Sequence, residues 1–424
     1  MIHKLQNISP ILFCLFATIL SAIIGISLIA FSYKIDTKPS KPQIFTSSLL
    51  LLQEQEIHPR YNTTFPGSKI DNFSTSLMLN ISSFSDSSSP LIYATTNPRT
   101  EYHRKNMPSN LFYSSFYKTP HGSYIVGYPR YWHGYTILLR PLINFLNLQQ
   151  LRLLNAVLQN ILLIITLIYL YKHLSPNIAL SFLFTVFYLN PITLAKCLPY
   201  SSLYYIIMLS IIALIKTSIK PYKIFLFSGI LTSYFDMLTA PLITLGIPLV
   251  VLCLKNKTTL KQDTLSLFYC SIAYCFGLSF MILLKWLITA YFTTPDIIKE
   301  TFNSLIWRIN GNGFIESGIH DFSFLNALKR NFYELKSHTS LFVLLIFLIL
   351  QNLIFLTKKQ LTPNKDYRLI LLLLISTLPF MWYAVFINHS IVHPLMSYRV
   401  LGIFIFSLSS FLSSLLTSHN KSST

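Results

Sequence analysis

Long, closely spaced apolar runs, almost free of charge, constrain this chain more than any other feature. A helix needs about 20 apolar residues to cross the ~30 Å hydrocarbon of a bilayer. Within lipid a segment must satisfy its own backbone N–H and C=O groups, so such runs read as helices. Candidate spans cover residues 10–33, 151–171, 177–196, 199–215, 222–239, 240–254, 265–291, 339–357, 368–387 and 397–416. The pair 222–239 and 240–254 is the weakest, because it shares a hinge at Pro241 and its second member is short. The first run follows Lys4 and exceeds the ~7–15-residue core of a signal peptide, so it is expected to be an uncleaved helix. The expected fold class is all-α, a polytopic helical membrane protein of about ten spans. Composition agrees. Charged residues make up 11% of the 424, against about 25% in soluble domains, and 52% are hydrophobic.

The net charge of +19, from 33 basic and 14 acidic residues, would suggest nucleic acid in a soluble protein. Here no basic stripe with interleaved aromatics stands apart from the apolar runs, so no nucleic-acid partner is expected. Most Lys and Arg occupy alternate short connections, where they set topology and meet lipid headgroups. One set of connections holds Lys172, Lys216, Lys220, Lys223, Lys255, Lys257, Lys261, Lys358, Lys359, Lys365, Arg368 and the tail Lys421. Of the acids only Asp263 and Asp366 fall on that side. The positive-inside rule then predicts both termini in the cytoplasm. It divides the chain into a first helix (1–33), a large outer loop with interfacial helices (34–150), a bundle (151–291), a second outer segment (292–338) and C-terminal helices with a short tail (339–424). Within the outer loop, Phe45–Gln53 and Ile137–Leu148 are apolar but too short to span. Mid-membrane charge is scarce; Lys285 is the main case, with a stem long enough to snorkel outward. The five cysteines Cys14, Cys197, Cys253, Cys270 and Cys275 sit in or beside apolar runs with no CxxC, so they read as buried thiols.

Polar chemistry gathers on the outer side. Tyr128-Pro129-Arg130-Tyr131-Trp132-His133-Gly134-Tyr135, followed by Arg140-Pro141, ends the first loop. The aromatics alone read as an interfacial belt. Arg130, His133 and Arg140 add cations suited to a phosphate, and the Tyr131 and Trp132 faces suit a sugar ring. Asp236, at the outer end of a span, needs a partner or water; an Arg such as Arg399 is the simple reading and ligand binding the other. His389 and His393 are four apart, and Pro394 shortens any helix they share. With no carboxylate triad beside them they make a weak metal site, and no cofactor is expected; a divalent metal is compatible with the sequence but nothing in it calls for one. Arg399 at the mouth of the last span suits an anion, and Arg308 precedes an Asn-Gly turn at 310–313. Asp71 is a solvated surface acid or a general base, with Asp36 as competitor. GxxxxGK[ST], GxSxG and HExxH are absent, which disfavours ATP hydrolysis, serine-hydrolase and zincin chemistry.

Taken in order, three blocks resemble a little-characterised family of multi-pass membrane proteins of low-GC Gram-positive bacteria. They are Tyr131-Trp132-His133-Gly134-Tyr135 with Leu138-Leu139-Arg140-Pro141-Leu142; Tyr234-Phe235-Asp236-Met237-Leu238-Thr239 with Pro241-Leu242 and Leu245-Gly246; and Trp382-Tyr383 with Asn388-His389-Ser390 and Tyr398-Arg399. The resemblance runs from about residue 70 to 402. The layout also resembles GT-C class glycosyltransferases, which have many helices and a large first outer loop with an acidic residue. That resemblance implies a bacterial plasma-membrane enzyme moving a sugar from a polyprenyl-phosphate donor to a cell-envelope glycan or protein. In it Asp71 acts as base. Arg130, Tyr131, Trp132, His133, Arg140, Asp236, Arg308, His389, His393 and Arg399 hold substrate. One departure stands out: Asp71 has no acidic neighbour, and Ser76 occupies the place where a second acid is expected. A transporter or flippase of a lipid-linked glycan and a non-catalytic assembly factor are the alternatives. The first would require mid-membrane charge and inverted repeats.

Overall fold

The computed structural model describes residues 9–35, 41–54, 57–86, 88–102, 110, 123–256, 258–294, 296–309, 321–337 and 366–416. Asp36, the 310–313 turn, the expected span 339–357 and Lys421 lie outside them. The described chain is helical apart from one small sheet.

Among the described residues, six stretches are long and apolar enough to cross a membrane, so the chain is a polytopic helical membrane protein with the bilayer as its partner. They begin with α1 (Pro10–Lys34), whose first turn is capped by Ser9. Between it and the next span lie α2 (Lys41–Gln53), α3 (Asn72–Ser83), α4 (Pro90–Thr96), the antiparallel strands β1 (Arg99–Tyr102) and β2 (Ser123–Val126), and α5 (Thr136–Leu142). Arg99 pairs with Val126 and Tyr102 with Ser123. Of the two short apolar runs expected in this segment, Phe45–Gln53 lies within α2, whereas Ile137–Leu148 is helical in α5 only as far as Leu142.

The second span is α6 (Leu148–His173), opened by a capping box in which Asn147 and Gln150 each bond the other's backbone N–H. Then come α7 (Pro176–Tyr188), α8 (Pro191–Lys196), the spanning α9 (Leu198–Lys216), α10 (Pro221–Phe235), α11 (Leu242–Lys255) and the spanning α12 (Leu260–Phe292). The expected single helix 177–196 is broken in two. Asn190 takes a left-handed conformation (φ 59°), its side chain caps α8 at Thr193, and Pro191 cannot continue the helix. The Pro241 hinge is a turn: α10 ends at Phe235 and α11 starts at Leu242. The 13, 15 and 14 residues of α7, α10 and α11 are too few to cross alone at ~1.5 Å per residue. In α11 every residue from Ile243 to Leu254 is buried, so its neighbours rather than lipid surround it.

After α12 the chain forms α13 (Asp296–Ile309) and α14 (Phe324–Ser337). The last two spans are composite. α15 (Arg368–Ser376) continues into α16 (Leu378–Val385), and α17 (Ile387–Val392) leads through α18 (Pro394–Ser397) and one 3-10 turn (Tyr398–Val400) to α19 (Leu401–Leu416).

The two ends of the bundle differ. At one, Tyr367 donates to Asp263 at 2.8 Å and Arg368 Nη1 donates to the Leu254 carbonyl at 3.2 Å. At the other, the segment between α1 and α6 docks through Asn190 Nδ2, which donates to Gly67, and through Arg152, which forms a two-pronged pair with Glu54. Lys285 does not snorkel outward. It is buried, and its ammonium donates to the carbonyls of Ala94 and Thr95 at 2.9 and 2.8 Å, tying α12 to the C-terminal turn of α4.

Candidate functional site

Asp71 enters the site as a helix cap. The chain pairs Arg60 with Lys69 and then turns into α3, where Asp71 Oδ1 accepts from Ser74 N at 2.8 Å. Its other oxygen accepts from the Tyr200 hydroxyl at 3.2 Å, and its backbone N–H donates to Cys197 Sγ. The carboxylate is buried, with His58 Nδ1 4.0 Å from Oδ1. His58 is half exposed (45%), so it stands between the buried acid and the surface.

Arg399 stacks on Tyr200, its guanidinium carbon 3.9 Å from that ring's centroid and 4.8 Å from that of Tyr398. Nη1 donates to the Leu395 carbonyl, while Nε and Nη2 are buried with no partner. Among the described residues it forms no ion pair. A buried cation with idle donors is costly unless something fills the gap.

His389 lies on α17 and His393 directly follows that helix, their rings 5.3 Å apart. His389 Nε2 donates to the Thr239 carbonyl at 3.4 Å, which leaves Nδ1 as an acceptor, buried and unpartnered. Burial, then Arg308, holds the His393 pKa down at about 4, opposed by the field of Asp71. Burial, Arg308 and His393 push His389 well below the ordinary imidazole range. Both are neutral near pH 7. Arg308, on α13, donates to the Tyr131 hydroxyl and sits 5.7 Å from the centre of that ring.

Asp71, Tyr131, Arg308, His389, His393 and Arg399 therefore gather at one end of the bundle. The other expected residues take different places. Asp236 is buried in the α10–α11 turn, where its two oxygens accept from Thr239 N and Oγ1 at 2.8 Å each. It has no Arg partner among the described residues; it shapes the turn whose Thr239 carbonyl holds His389. His133 uses both ring nitrogens internally: Nε2 donates to the Tyr128 carbonyl at 2.9 Å, and Nδ1 accepts from Tyr135 at 2.7 Å. Burial, and then the Lys285 cation, lowers its pKa to about 3. Trp132 is a core residue whose indole donates to Met281 and packs on Tyr234. Arg140 is buried between helices, bonded to the carbonyls of Ser32, Ser82 and Phe84. Arg130 pairs with Glu300 on α13 at 3.5 Å.

Sequence reasoning missed Tyr200, His58 and a second acid. Glu54, far upstream in the chain, accepts from Asn72 Nδ2 at 2.8 Å and holds Arg152, itself bonded to Asn72. A carboxylate therefore stands beside the residue after Asp71, where no local motif announced one. Among the described residues, no group of three or more His, Cys, Asp and Glu side chains converges on a metal position. No family model, curated protein or solved structure matches the chain.

Proposed function

We propose that this protein is a membrane glycosyltransferase, similar in layout to the GT-C class, that moves a sugar from a polyprenyl-phosphate donor to a cell-envelope acceptor. The carrying observation is Arg399: a buried guanidinium with two idle donors, stacked on the tyrosine whose hydroxyl binds the buried Asp71. In this reading the acceptor hydroxyl gives its proton to Asp71 as its oxygen bonds the anomeric carbon. The bond from that carbon to the phosphate oxygen breaks, and the electron pair leaves with the lipid phosphate. Arg399 and Arg308 offset the charge that develops there. Glu54 and Arg152 hold α3, and with it Asp71, in place. No metal is assigned.

The proposal includes about ten spans, both termini in the cytoplasm, and the Asp71 end facing outward from a bacterial plasma membrane. Alternation of basic and acidic connections supports that orientation. A flippase reading has less support, because Lys285, the ionisable residue that transport would draw on, is committed to two carbonyls.

Deletion of the gene, followed by analysis of surface glycans, tests the proposal. The expected result is a missing or shortened glycan, restored by the wild-type gene and not by Asp71→Asn, whose turnover falls by about 10²–10⁴-fold. Unchanged glycans on deletion sink the proposal. Full rescue by Asp71→Asn at normal protein level favours the assembly-factor reading instead.

A further inference from the structure

Beside the Arg308–His389 pair lies a cavity of about 250 Å³ walled by α12, α13 and α16. Leu278, Ile282 and Leu283 of α12 line it with apolar surface, together with Trp382 of α16 and Phe386 just after that helix. Leu283 is 42% exposed on a span, so the cavity opens sideways onto the surface that lipid covers. Only two charged or titratable groups line it, Arg308 and His389.

The polar atoms at its closed end have a definite bonding character. His389 donates from Nε2 to Thr239, so its idle Nδ1 is an acceptor and seeks a hydroxyl. The Trp382 Nε1–H is a buried donor with no partner. Arg308 supplies a cation whose hydrogen bond to Tyr131 uses one nitrogen and leaves other guanidinium N–H groups for a phosphate. An acceptor, a donor and a cation at the end of an apolar trough match a headgroup carrying both an anionic phosphate and a hydroxyl.

Along α13, Ile298, Phe302, Leu305, Ile306 and Ile309 are exposed large apolar residues at helical spacing. They continue from Leu287, Tyr291 and Phe292, the exposed end of α12. The helix that carries Arg308 therefore turns an apolar stripe outward where the spanning surface ends. A helix with such a stripe lies in the membrane interface, at headgroup depth.

We propose that this cavity takes from the bilayer an amphiphile whose headgroup bears a phosphate and a hydroxyl. The phosphate sits on Arg308 and the Trp382 N–H, the hydroxyl on His389 Nδ1, and the chain against Leu278, Ile282 and Leu283. Phosphatidylglycerol and a prenyl-phosphate hexose share this chemistry. The second source rests on the transferase reading above; the first does not.

The test is native mass spectrometry of the purified chain in detergent with two pairs of lipids: phosphatidylglycerol against phosphatidic acid, and a prenyl-phosphate hexose against the bare prenyl phosphate. In at least one pair the hydroxyl-bearing member binds about tenfold tighter, the worth of one hydrogen bond. Arg308→Met weakens both members of that pair by about tenfold or more. His389→Phe erases the difference within the pair and leaves the other member unchanged. Leu283→Trp, on the lipid-facing rim, blocks binding without touching the polar end, so a misfolded Arg308→Met does not decide the matter. Equal binding of phosphatidylcholine, or binding unaffected by all three substitutions, overturns the proposal. If phosphatidylglycerol binds and the prenyl-phosphate hexose does not, the cavity stands and the transferase reading loses its donor. If deletion alters glycans while both polar variants bind normally, this inference fails and the transferase reading survives.

Discussion

His133 holds a left-handed backbone (φ 57°) and a neutral ring locked between Tyr128 and Tyr135. Its folded pKa of about 3 lies below the ~6.5 of an unfolded histidine. As pH falls below ~6.5 the unfolded chain binds a proton that the folded chain refuses. The stability contribution is therefore complete above ~6.5 and declines toward pH ~3. His393, at about 4, and His389 act in the same direction. Thermal melts in detergent are expected to shift downward between pH 6.5 and 4, by up to about 1.4 kcal/mol per pH unit for each histidine. His133→Asn tolerates the left-handed backbone and should flatten the slope; an unchanged slope would show that the burial of His133 does not govern it. Arg140→Met, which strands three carbonyls, should cost about 3 kcal/mol, whereas Arg308→Met should cost about 1 kcal/mol, both read from the same melts. The sequence placed Arg130, His133 and Arg140 together as phosphate ligands because cations beside aromatics look alike in one dimension. Burial and competing carbonyl acceptors, which separate them, are visible only in three dimensions.

Among the elements, α10 and α12 pack closely backbone to backbone, and two glycines permit it. A Cβ on Gly229 would lie 2.3 Å from the Tyr274 carbonyl oxygen, and one on Gly277 2.4 Å from that of Leu226. Each position faces backbone of the partner helix, so neither clash can be relieved by a rotamer change. Small residues at such crossings are how helices pack in lipid. Gly229→Val should force the helices apart and lower the yield of monodisperse protein sharply, while Gly127→Ala, where the nearest atom is 3.3 Å away, should not. Equal yields would mean that the crossing adapts. Helix existence was legible at this scale: helices occupy every expected span except 339–357, which lies outside the described residues. The breaks were not. Asn190-Pro191 carried a visible helix-stop signal that apolarity on both sides masked, and α15 and α16 divide at Thr377-Leu378-Pro379 for the same reason.

At the scale of the whole molecule, charge alternation and the fold are independent and meet in one statement. Lys255, Asp263 and Arg368 lie at one end of the helices, where Lys255 reaches Leu214 and Arg368 reaches Leu254. Asp71, Tyr200 and Arg399 lie at the other. The sequence could assign the polar residues to an end, because that depends only on the count of spans between them. It could not assign them to one another, because Asp71, Arg308 and Arg399 come from widely separated segments and meet only when the bundle closes. This separation makes sidedness testable without reference to chemistry. In a variant with the five native cysteines replaced by serine, a cysteine at His58, half exposed beside Asp71, should react in intact cells with a membrane-impermeant maleimide. One at Lys220, exposed at the opposite end, should react only after the cells are opened. Reaction of both in intact cells would break the two-ended arrangement. The reverse pattern would keep the bundle and turn it over, which would put the Asp71 site on the cytoplasmic side and leave an outer-face transferase without a reaction centre.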